Sequence, residues 1–192
     1  MDLEALALLI DERVRVPAAD RTDGRLFAVR HDRIPAVGVL PGSPGADVPA
    51  LPDNCLAVYG RGDDDDDPDG GGACGAVVLH LLAEGDTRTL PQKVTPPAGL
   101  AAIALASGVW AAPLDDSGPT PSRHPQRRRA HLTVIVGAEA GRDAVDVSVL
   151  RYGDARPTVL RGGVGVVHQR LLRCWARRPD APGTAQANHR AA

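Results

Sequence analysis

The chain has 192 residues, with 22 basic and 24 acidic side chains and a formal net charge of −2, too near balance to imply a polyanionic or polycationic partner by itself. Its only aromatic residues are Phe27, Tyr59, Trp110, Tyr152 and Trp175, too few for the stacking platform of a single-stranded nucleic-acid binder. A core is still within reach, because roughly 150 structured residues bury about two-thirds of the surface that the unfolded chain exposes, here with Val, Leu, Ile and Ala as the filling.

The opening segment MDLEALALLIDERV places Leu3, Leu6, Ile10 and Val14 on one face of a helix. It lacks a basic region ahead of its apolar residues and meets Asp11 and Glu12 early, which is wrong for a secretory signal. RLFAVR at 25–30 and AVGVL at 36–40 follow as short strands separated by Pro35, and the proline- and glycine-rich residues 41–54 form a surface excursion. CLAVY resumes a strand at Cys55. Cys55, Cys74 and Cys174 are odd in number and form no C-x-x-C, so neither a disulfide framework nor a zinc knuckle is signalled, and a reducing compartment, the cytoplasm, is expected.

GAVVLHLLAEGDTRTL, residues 75–90, reads as a hairpin turning at Glu84-Gly85-Asp86. Pro96 and Pro97 then precede an Ala-rich helix over 98–111. The apolar run 98–114 is too short and too interrupted by Pro113 to span a membrane, which takes about 20 apolar residues. The valine-rich segments at 131–137 and 144–151 form a second hairpin, with Leu132, Val134 and Val136 on one side of its first strand and Val145, Val147 and Val149 on one side of the next. PTVL at 157–160 is a short strand, and the segment 164–178 puts Val164, His168, Leu171 and Trp175 on the apolar stripe of a closing helix. Residues 179–192 have nothing to bury and read as a disordered tail.

The expected fold is α+β in one domain over 1–178: a mainly antiparallel sheet with helices packed on one face, in the order helix, strands, helix, two strands, helix. Residues 61–73 enter as an acidic, glycine-rich loop insertion and 113–129 as a proline- and arginine-rich loop. This order of elements resembles that of the type III secretion chaperones and related peptide-binding domains, which implies a protein segment as ligand. RHPQRRRAHLTVIVGAEAGRDAVDVSVLR, residues 123–151, is also similar to segments of uncharacterised actinobacterial proteins, and that likeness implies no activity.

Three stretches and two histidines carry candidate chemistry. In RGDDDDDPDGGG, residues 61–72, Asp65, Asp67, Asp69 and Gly70 fit the first positions of a calcium loop, but the twelfth falls on Ala76 in place of a bidentate carboxylate. A solvated insertion is the plainer reading, followed by a dock for a basic partner, with calcium last. Arg127, Arg128 and Arg129 offer bidentate anion contacts, against a plainer reading as charge guarding a strand edge. RGGVGVVHQ sets Arg161, Gly163, Gly165 and His168 around a helix start able to receive an anion, without the third glycine of a dinucleotide fingerprint. His80 and His168 lie within apolar patterns and read first as buried, hydrogen-bonded residues.

No nucleophile signature, metal-ligand spacing or cofactor motif accompanies them, so the chain is read as binding a protein partner or itself. A small anion-binding module or enzyme built on the Gly162–Gly165 segment is the alternative, and a nucleic-acid accessory role through the three arginines stands third. No cofactor and no membrane partner is expected.

Overall fold

Asp2 sets the start of the first helix: its carboxylate accepts from the amides of Glu4 and Ala5 at 3.0 and 3.1 Å, satisfying two of the donors that a helix start leaves bare. Helix α1 then runs Leu3–Arg13 and buries Leu3, Leu6, Ala7, Ile10 and, unexpectedly, Asp11. The computed structural model describes residues 2–14, 23–33, 55–59, 75–112, 127–139, 142–162 and 165–178. The expected strand at 36–40, the surface segment 41–54, the acidic run 61–73 and the tail 179–192 lie outside them.

After α1 come β1 (Asp23–Arg33), β2 (Cys55–Tyr59), β3 (Gly75–Asp86), the single turn α2 (Leu90–Lys93), β4 (Ala102–Ala111), β5 (Arg128–Glu139), β6 (Arg142–Arg151), β7 (Thr158–Arg161) and α3 (Val166–Ala176). The strands make one sheet in the order β2-β3-β1-β4-β5-β6-β7, and every neighbouring pair is antiparallel. The protein is α+β. The segment from β3 through α2 to β4 carries the chain across β1, since both strands flank it.

Two sequence expectations are corrected within this sheet. The helix expected over 98–111 is strand β4, seated between β1 and β5. Residues 102–108 are buried throughout, because a central strand covered on both faces takes a continuous apolar run, and that context overrides the helix preference of alanine. Nor does a hairpin turn at Glu84-Gly85-Asp86. Strand β3 continues through these residues, pairing Glu84 with Arg25 and Asp86 with Asp23, with an Arg25–Glu84 ion pair at 3.0 Å. The chain turns just beyond, where the Asp86 carboxylate accepts from the Arg88 amide at 2.8 Å and the Asp86 carbonyl from the Thr89 amide at 2.9 Å, an aspartate-stabilised turn.

The helices cover both faces of the sheet. His131 on β5 meets Asp11 of α1, whereas Ser148 on β6, directly opposite Val134, meets His168 of α3. Residues 131 and 134 of a regular strand point to opposite sides, so α1 and α3 sandwich the sheet. The expectation of helices on one face is corrected in this respect; the physical reason is that β4, β5 and β6 are apolar on both sides and need two covers. Toward α1 the sheet presents Ala104, Ile135 and Val147, and toward α3 it presents Leu105, Val134 and Val136 against Leu171 and Trp175, all fully or almost fully buried. Each large side chain removed from water in this way contributes about 1.5–3 kcal/mol.

Candidate functional site

Strand β5 reaches further than its neighbour β6 at one end. His131 pairs with Arg151, the last residue of β6, while Arg128 and Arg129 pair only toward β4, opposite Ala111 and Trp110. The strand is interior, but this overhanging end is paired on one side only, so the charge sits at a local strand edge, and Arg128 and Arg129 belong to β5, not to the loop expected over 113–129. The Arg129 guanidinium lies 5.4 Å from the centroid of the Trp110 ring, within cation–π range. The Arg127 guanidinium donates to the Trp110 carbonyl at 3.3 Å, so two of the three predicted arginines flank one tryptophan. That ring is 47 % exposed, and among the described residues the only other exposed large apolar side chain is Val166.

Alternation sends Arg128 to the opposite side of β5, toward Tyr152. Burial pushes the Tyr152 phenol above its usual range, and the charge of Arg128 pulls it partway back. The phenol donates to the Ala112 carbonyl at 2.5 Å, tying the end of β4 to the chain beyond β6. Trp110 thus projects from a strand end anchored by hydrogen bonds on both flanks.

Two residues beyond Arg129 along β5, at His131, begins a polar network that sequence reasoning missed. Asp11 is wholly buried; one carboxylate oxygen accepts from His131 Nδ1 at 2.8 Å and the other from Arg151 Nε at 2.6 Å. Arg151 also donates to the Ala155 carbonyl at 3.2 Å. The signal was present in α1, since Asp11 falls beside Ile10 and Val14 on the apolar stripe, and a carboxylate in such a stripe implies a buried partner. The partners lie 120 and 140 residues away, so no local motif marks them. The network clamps α1 to β5 and β6.

Among the described residues of the glycine segment, Arg161 and His168 are engaged elsewhere. Arg161 turns away to pair with Glu4 of α1 at 3.0 Å and Glu139 at 3.4 Å, and the bond from Glu4 holds its guanidinium still more firmly protonated. Gly165 is the N-cap of α3, Gly162 adopts a positive φ of 67°, and Gly163 lies outside the described residues. His168 is buried and shares a hydrogen bond with Ser148, as its place on the apolar stripe predicts. Burial pushes this imidazole below its usual 6.5, against a smaller raising effect of the Asp146 charge. Serine, histidine and aspartate together suggest acyl transfer by residue type. Ser148 has no solvent exposure, however, and α3 covers it, so a substrate carbonyl has no approach to its hydroxyl.

The calcium candidates Asp65, Asp67 and Asp69 lie outside the described residues. Among the described residues, no group of three or more His, Cys, Asp or Glu side chains is placed to hold a metal ion, and no helix is long and apolar enough to cross a membrane. No protein-family model, curated protein or solved structure matches the chain.

Proposed function

We propose that this protein is a non-catalytic binding domain that docks a protein segment on the surface formed by Trp110, Arg127 and Arg129. The observation behind this reading is the half-exposed Trp110 ring with the Arg129 guanidinium over it. Tryptophan and arginine are the side chains most enriched where a few residues supply most of an interface's affinity, and the ring is held on a strand end that needs little ordering on binding. The charge of the patch selects a segment bearing carboxylates. The chain's own aspartates at 63–67 meet that requirement, so a second copy is a concrete partner alongside other acidic proteins. The likeness of element order to type III secretion chaperones lends less support, because the middle helix on which it rested is strand β4 and only the single turn α2 stands between β3 and β4.

The setting we propose is intracellular, supported by the buried free thiol of Cys174 and the odd cysteine count. Catalysis has less support, because His131 and His168 are each held in a hydrogen bond with little or no access to solvent. A nucleic-acid role has less again, since among the described residues the single exposed ring, Trp110, and the short basic strand end beside it make no continuous track for a phosphate backbone.

Capture of partners from lysate and sedimentation of the purified chain test this together. Reversing the charges, Arg127→Glu with Arg129→Glu, is expected to remove bound partners or self-association, and raised salt is expected to weaken the wild-type complex. A variant that retains every partner and the wild-type sedimentation profile contradicts the assignment.

A further inference from the structure

A cleft of about 250 Å³ lies between α2 and α3, lined by Pro91, Gln92, Arg170, Arg173, Cys174 and Arg177. The four α3 residues fall at i, i+3, i+4 and i+7, so three guanidinium-bearing side chains share one stripe with a thiol between them. Like charges at this spacing destabilise an isolated helix. Among the described residues no carboxylate pairs with any of the three. Arg170 donates to the backbone carbonyl of Arg88, which holds its side chain across the gap toward the end of β3. An arginine in the last turn also suits the negative end of the helix dipole, which accounts for one cation there but not for three facing α2.

We propose that this cleft binds a small phosphorylated ligand, a phosphate monoester dianion. Guanidinium forks match phosphate oxygens bidentately, and a concave wall of one sign concentrates counter-charge. The volume suits a compact anion: it falls just below the roughly 300–1,000 Å³ of typical small-molecule sites. Gln92 adds a neutral amide that can donate to a bridging oxygen or to the ligand's organic portion. The Cys174 thiol donates to the Val94 carbonyl at 3.5 Å and is buried, so it floors the cleft without adding negative charge. This site is separate from the Trp110 surface and shares no residue with it.

Calorimetric titration of the full chain with phenyl phosphate and with inorganic phosphate, at constant low ionic strength set with chloride, tests the proposal. Phenyl phosphate is expected to bind with a dissociation constant below about 1 mM. Arg173→Gln and Arg177→Gln are each expected to weaken it about tenfold, while Arg156→Gln, which removes the same charge from an exposed loop position, leaves it unchanged. Arg173 and Arg177 are both exposed, and melting without ligand verifies that the variants fold. Absence of binding to either phosphate, or cleft variants that bind as wild type does, overturns the site. A phosphoserine peptide or a single-stranded oligonucleotide that binds more than about tenfold tighter than phenyl phosphate overturns the small-ligand assignment.

Discussion

Asp11 is the residue on which the buried polar chemistry turns. Its removal in Asp11→Ala leaves Arg151 and His131 facing an apolar helix, and stranding one member of a buried ion pair costs about 3–5 kcal/mol. Urea unfolding of Asp11→Ala should show a loss of that order, and Asp11→Leu with Arg151→Met should recover part of it, because removing both charges leaves nothing unpaired. An unchanged urea midpoint in the single variant contradicts a structural role for the network. His168 behaves differently, since burial lowers its folded pKa beneath 6.5. The unfolded chain then binds a proton that the folded chain does not, so stability is fully present above about pH 6.5 and falls as the pH drops toward the folded value. Melting temperatures between pH 7.5 and 5 should decline more steeply for wild type than for His168→Gln; equal slopes contradict this linkage.

At the scale of elements, helix α1 and the β5–β6 hairpin were legible because their apolar residues repeat with periods of 3.6 and 2. Strand β4 was not, because alanine's helix preference and the two prolines before it pointed the other way. A period-two alternation was nevertheless present in residue size: Ala102, Ala104 and Ala106 sit on the α1 side, and Ile103 and Leu105 on the α3 side. Helix α1 lies over β5 and β6 rather than over β4, and Gly137 of β5, paired with Ala102, leaves room for its Leu3. A Cβ at Gly137 would stand 2.8 Å from the Ala102 Cβ, 3.0 Å from the Ala101 carbonyl and 3.1 Å from Leu3 Cδ2. Gly137→Ala should therefore destabilise the fold by about 1–3 kcal/mol through overpacking, read as a lower urea midpoint. No loss would mean that α1 sits more loosely than the contact distances imply. The end of β3 was misread for a related reason, as Glu84-Gly85-Asp86 has turn residues but is held extended by pairing with β1.

For the whole molecule, what the sequence made legible of the candidate site was the arginine trio; what it hid was Trp110, because a ring assigned to a buried helix gives no reason to look for it at a surface. The partners of Asp11 and the α2–α3 cleft were equally illegible, since both arise from residues brought together by the sheet order and by packing across it, far beyond any local spacing. The resulting body is a sheet sealed on both faces, with its histidine pairs enclosed and its exposed tryptophan at a strand end between arginines. Binding at that strand end is the central claim, and the affinity of the captured partner or second copy for Trp110→Ala measures it most directly. Truncation of a dominant interface ring costs about 2 kcal/mol or more, roughly thirtyfold in dissociation constant, with the melting temperature near wild type because the ring is half in solvent. An affinity within about twofold of wild type would contradict the account.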